Sequence, residues 1–199
     1  MSARGRPDEA ARAIPPLIAA DAILSALWQY WESKRGHRRM PLRREIDPCE
    51  IPRLLPYLQL VERLDGRGFR YRLTGTAIAD GYGFDATGKF THEVLPPARH
   101  TVASRHYALV CESGRPLFAR NRYLKGNSVT VIISRIILPL ATDGVDAGIL
   151  MLGQTFAAAL PEQRMSAETP IDLDTDEMEF LDKAKLALVP SSDTAAAAR

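Results

Sequence analysis

The chain is predicted to fold as an α+β domain with helices packed over one antiparallel sheet, on three observations. Residues Gln59 to Thr74 alternate apolar and polar side chains around Asp65-Gly66-Arg67-Gly68, the pattern of a hairpin with one buried face. Val129 to Phe156 form a second, β-branched pair of strands about Asp143-Gly144. Between the hairpins run short helical pieces and one long helix. The strands therefore fall in two blocks separated by a helical crossover, which is an α+β order.

Each element has a local reason. Asp21 is placed as an N-cap, after which Ile23, Leu24, Leu27, Trp28 and Trp31 keep helical spacing until Gly36. Pro48, at the first helical position after Asp47, opens a second short helix carrying Ile51, Leu54 and Leu55. In the first hairpin Phe69, Tyr71 and Leu73 share a face, alternating with Arg70, Arg72 and Thr74. Gly81, Gly83 and Gly88 punctuate the crossover, whose long helix runs from about Ala98 to Ser113 and ends at Gly114. On that helix Val102, His106, Leu109 and Val110 fall on one stripe, which points His106 at the sheet. Pro116 then starts a strand from Leu117 to Tyr123, Lys125-Gly126-Asn127 turns, and the second hairpin follows.

With 199 residues the chain holds one domain and an appendage. Apolar residues at 46% and charged residues at 25% exclude wholesale disorder and collagen-like classes. The net charge of +2 predicts no polyanion partner by itself, and it is unevenly divided. From Ala157 onward nine acids face four bases, a net −5, against +7 for the residues before. The expected division is a flexible N-terminus over 1–20, a folded domain over 21–156, and an acidic, partly disordered tail over 157–199. Within the tail a short helix over 176–188 would put Met178, Leu181 and Leu188 on one face.

Cys49 and Cys111 are too few for a disulfide scaffold. No run reaches the roughly 18 apolar residues of a membrane span. Arg4, Arg6 and Arg12 precede no signal-peptide core, because Pro15 and Pro16 break the short apolar run after them. A cytoplasmic location without membrane contact is the expectation.

Four segments, in order, carry a resemblance. They are Trp28 and Trp31 on the first helix; Arg35-Gly36-His37-Arg38-Arg39-Met40-Pro41-Leu42-Arg43-Arg44-Glu45-Ile46-Asp47-Pro48; Phe69-Arg70-Tyr71-Arg72-Leu73-Thr74-Gly75-Thr76 with Thr87-Gly88; and Leu138-Pro139-Leu140 with Asp143-Gly144. Together they resemble a PAS-domain family found mainly in alphaproteobacteria, over roughly residues 22 to 156. The resemblance implies a five-stranded antiparallel PAS-like sheet with helices on one face, used for sensing or protein contacts, and no known enzymatic chemistry. It also implies a cavity between sheet and crossover helices. A cavity of that kind is mostly apolar with a few orienting polar groups. Its candidate liners are Tyr71, Leu73, Ile78, Tyr82, Phe84, His106 and Ile133. For His106 a hydrogen-bonded core histidine competes with a ligand anchor, a haem ligand or a pH-sensitive group.

Two main function classes follow. In one, the chain is a standalone, non-catalytic sensory module that binds a small ligand and signals through another protein. In the other, Tyr71, Tyr82, Phe84 and Ile133 fill the cavity and the domain is a ligand-free adaptor. Leu24, Leu27, Trp28 and Trp31 on the first helix are the candidate interface, for a homodimer or a signalling partner, since Trp carries much interface energy. Covering their own sheet is the competing role. The basic segment 34–44 is a third, weaker candidate, for nucleic acid or an anionic ligand. It lacks interleaved aromatics and a DNA-reading motif, and Glu45, Asp47 and Glu50 stand ready to pair with it. Arg39 and Arg43 have the R-x-x-x-R spacing of PilZ-type cyclic-di-GMP binders, without that family's companion motif.

The cofactor is left open. Neither cysteine stands in a flavin-thiol motif, and His37, His92, His100 and His106 have no metal-ligand spacing with them. Catalysis finds no support either: Gly81-Tyr82-Gly83 lacks a third glycine, and Cys111 and His106 point about 140° apart on one helix.

Overall fold

The computed structural model of the chain describes residues 14–125, 129–142, 146–158 and 177–180. Helix α1 (Ala22–Arg35) starts where expected: Asp21 Oδ1 accepts from the N–H groups of Ile23 and Leu24, each at 3.0 Å. Single 3-10 turns follow at Arg43–Glu45, Pro48–Glu50 and Leu55–Tyr57. The second α-helix expected after Asp47 stops at one turn. Asp47 does cap it, accepting from Cys49 N–H at 2.9 Å, but Pro52 and Pro56 lack the donors that a continuing helix needs.

The crossover is α2 (Thr76–Tyr82), α3 (Thr91–Val94) and the long α4 (Pro97–Ser113). The strands are β1 (Leu58–Leu64), β2 (Gly68–Thr74), β3 (Leu117–Lys125), β4 (Val129–Ala141), β5 (Ala147–Ala158) and β6 (Glu177–Phe180). They form one antiparallel sheet in the order β2-β1-β5-β4-β3-β6. The first five strands are the expected sheet, and the sixth comes from the tail. The helix anticipated over 176–188 is thus corrected at its first residues. Glu177-Met178-Glu179-Phe180 alternates with period two, and the outer edge of β3 offers backbone groups that only a strand can pair. Residues 181–188 lie outside the described residues.

Strand alternation sorts the core into two layers. Ile136, Leu138, Leu140 and Met151 face α1 and pack with Leu24, Leu27, Trp28 and Trp31. Ile137, Leu117, Leu150, Leu152 and Val61 face α4 and pack with Ala103, Tyr107 and Val110. The crossover helices therefore cover one face and α1 covers the other. Residues 14–20, expected to be loose, belong to the α1 layer: Ile18 is fully buried and its carbonyl accepts from Ser25 Oγ at 2.7 Å. An apolar side chain placed one turn before a helix is a natural plug for its end. Gly75 of the Leu73-Thr74-Gly75-Thr76 segment also finds its reason here. A Cβ there would stand 2.3 Å and 2.4 Å from the carbonyl oxygens of Leu55 and Pro56.

Candidate ligand-binding interior

The interior lies between the α4 face of the sheet and the crossover helices. Of the candidate liners, Tyr71, Ile78, His106 and Ile133 are buried, and Tyr71 packs in the α4 layer. Tyr82 is half-buried at its rim, and its hydroxyl donates to Gln154 Oε1 at 3.1 Å while its ring meets Phe156 edge-on. Leu73 and Phe84 do not line it: they are 39% and 37% exposed. The register explains Leu73. Val61 pairs with Tyr71 but Leu60 pairs with Leu73, so a bulge at Arg72 turns Leu73 away from Tyr71's face. Phe84 follows the left-handed Gly83 that ends α2, and stacks on the outside of Tyr82. On α4 the buried stripe is Ala103, His106, Tyr107 and Val110; Leu109 packs against this layer from its edge while half-buried, and Val102 is half-buried beside it.

The sheet supplies a polar floor that the residue patterns did not single out. Asn121 on β3, Arg135 on β4, Gln154 on β5 and Gln59 on β1 are all buried. They share one face, because each lies an even number of residues from an apolar neighbour of the α4 layer: Leu117, Ile137, Leu152 and Val61. Arg135 stands directly opposite Gln154, and Asn121 is diagonal to Arg135 through the pairs Ala119–Arg135 and Asn121–Ile133. Opposite pairs lie about 5 Å apart and diagonal pairs about 7 Å, so the three side chains form one cluster. Asn121 is 2% exposed and Gln154 1% exposed. Among the described residues, neither Nδ2 nor Oδ1 of Asn121, nor Nε2 of Gln154, has a hydrogen-bond partner.

The surroundings are electrostatically one-sided. Burial, and then the charges of Arg135 and Arg105, lower the His106 pKa from 6.5 to about 3, so its imidazole is neutral. Burial raises the Tyr71 pKa well above its usual value, helped by the hydroxyl of Tyr107 to which it hydrogen-bonds and opposed by Arg135. Burial pushes the Cys111 thiol up to about 11, which leaves it protonated and weakly nucleophilic.

The other two candidate regions are engaged within the chain. Leu24, Leu27, Trp28 and Trp31, expected at an interface, are buried in the chain's own α1 layer. The tryptophan rings stack 5.7 Å apart and Trp31 Nε1 donates to Pro139 O at 2.9 Å. In the basic segment Arg38 makes a two-pronged bond to Glu45 (2.9 and 2.7 Å), Lys34 pairs with Glu50 at 2.6 Å and Arg35 with Glu32 at 2.7 Å. Arg39 donates to Ser113 O at the end of α4, and Arg43 to Ile46 O. The R-x-x-x-R pair is thus built into local structure, with Arg39 serving the carbonyl end of a helix. An open cleft of about 340 Å³ lies on the α1 face, between Asp21 and Ala22 on one side and Phe118, Arg120 and Ser134 on the other.

A family model described as PAS domain matches residues 20–155, more than half of the chain. The chain belongs to the PAS-domain family, a class of sensory and regulatory modules. No curated protein and no solved structure matches it. No helix among the described residues is long and apolar enough to cross a membrane.

Proposed function

We propose that the chain is a non-catalytic sensor that binds a small molecule between its sheet and crossover helices and passes that occupancy on through contacts with another protein. One observation carries the reading. Three polar atoms of Asn121 and Gln154 are buried without hydrogen-bond partners among the described residues, on a floor set into the apolar α4 layer. Each such atom costs about 1–3 kcal/mol, a burden that leucine at either position would remove. A ligand supplying the missing bonds accounts for polar residues there. Tyr82 belongs to the same device, since its bond to Gln154 joins the short helix α2 to the floor of the site. A ligand that competes for Gln154 shifts α2 between two arrangements, which is how occupancy becomes a change in surface.

Native mass spectrometry of the gently purified full chain, beside its denatured mass, tests this. A stoichiometric excess mass is expected. Asn121→Leu should lose that mass while unfolding at the same or a higher temperature, because the cost of the buried amide is gone. A clean protein mass, with no thermal shift from any small molecule, turns the reading to a ligand-free adaptor.

A further inference from the structure

We infer that the outer edge of β3 is a docking site for an extended, acidic segment of a partner protein, and that β6 is its resident mimic. This names the surface for the protein contact in the proposed function, and rests on that reading only for the existence of a partner. The pairing of β6 with β3 shows what the edge accepts. Glu177 and Glu179 hold the register positions opposite Arg120 and Phe118, and Met178 and Phe180 those opposite Ala119 and Leu117. Phe118 belongs to the α1 layer and Leu117 to the α4 layer, so acidic positions fall on the α1 side of the edge and apolar ones on the other. Arg120 supplies the matching charge, its guanidinium 5.4 Å from the centre of the Phe118 ring. The complementarity runs along both segments: β3 carries Arg120, Arg122 and Lys125 and no acid, whereas residues 172–182 carry six acids and no base. Opposite charges on paired strands are favourable. In an added strand the backbone bonds supply affinity and alternate side chains supply selectivity.

Two features make β6 replaceable. It has four residues against nine in β3, so a segment that pairs along all of β3 makes more backbone bonds. It is also joined to β5 through residues 159–176, whereas residues 65–67 join β1 to β2 and 126–128 join β3 to β4. A longer connection lowers the effective concentration with which a tethered strand competes for its edge.

A fluorescent peptide of residues 172–182, titrated into the isotope-labelled full chain, tests this by anisotropy and hydrogen exchange. In the parent chain, excess peptide should speed exchange at the amides of Glu177 to Phe180 while Leu117 to Arg120 stay protected, because one strand has replaced another. Met178→Pro with Glu179→Pro in the chain vacates the edge and should tighten peptide binding about 10-fold; the parent chain keeps the test open if that variant does not fold. Glu177→Lys with Glu179→Lys in the peptide should weaken binding about 10-fold, and Arg120→Glu in the chain should reverse that preference. A peptide that binds neither form of the chain, or whose lysine version binds equally well, overturns the docking site. Protection of Leu117 to Arg120 in the proline variant by self-association, read as a doubled mass, puts a second copy on the edge and overturns the partner. A carried small-molecule mass is read independently of these results, so the docking site can fail while the ligand-binding reading stands.

Discussion

At the scale of single residues, His106 connects burial to a measurable pH dependence. Its pKa in the folded chain is about 3, against 6.5 ordinarily, chiefly because burial disfavours the imidazolium. Between those values the unfolded chain binds a proton that the folded chain refuses, so stability falls as pH drops through that window. By pH 5 the loss from this group is about 2 kcal/mol. Urea unfolding of His106→Gln should therefore show a shallower decline between pH 7 and pH 5 than the parent protein. Equal slopes would mean that the imidazole protonates freely in the folded state. His106 was legible in the sequence because helical spacing placed it among apolar neighbours, although the true stripe is rotated towards Ala103 and Tyr107. Asn121, Arg135 and Gln154 were less visible. Each interrupts a strand at an inward position, but which parity faces inward is set by cross-strand partners, which spacing along one strand does not reveal. Leu73 failed for the converse reason, since one bulged residue reverses every orientation beyond it.

At the scale of elements, α1 is a clamp on the sheet rather than an appendage. Asp21 caps it with one carboxylate oxygen and accepts from Thr155 Oγ1 of β5 with the other, at 2.6 Å. At the middle of the helix Gly153 lets it come close: a Cβ there would lie 2.5 Å from Leu27 Cδ1 and 3.3 Å from Ile136 Cγ1 and Leu24 Cδ2. Trp31 pins the far end through Pro139. Gly153→Ala should cost about 1–3 kcal/mol by overpacking the contact with Leu24, Leu27 and Ile136. Trp28→Ala should cost more, about 3–5 kcal/mol, as a large side chain leaves a buried cavity. Thermal melts with size-exclusion chromatography separate this from an interface role. A large fall in Tm at unchanged size supports the clamp, whereas a lost oligomer at constant Tm would put Trp28 between chains. The helix itself was readable from Asp21 and the apolar spacing. Its choice of face was not, because apolar stripes on a helix look alike whether they meet a sheet or a partner.

At the scale of the whole molecule, both edges of the sheet are covered, and by different devices. On one side Gly88 N–H donates to Tyr71 O and Tyr71 N–H to Lys89 O, so the loop after α2 closes the outer edge of β2. On the other side β6 pairs with β3 from Leu117 to Arg120, opposite Phe180 to Glu177. An uncovered edge is a template for pairing with another chain. The same β3 carries Asn121 one residue beyond the covered stretch, so the edge strand and the polar floor are one piece of backbone. Four paired residues hold β6 only weakly, and opening free energies differ across a native structure in proportion to such contacts. Proline at both Met178 and Glu179 removes two backbone donors from β6 and should release it. Hydrogen exchange should then speed at the amides of Leu117 to Arg120, while those of β4 and β5 stay protected and Tm moves by no more than a few degrees. Unchanged exchange on β3 would mean that its edge is closed by something other than β6. Loss of protection across the whole sheet would instead make the tail strand an integral part of the fold.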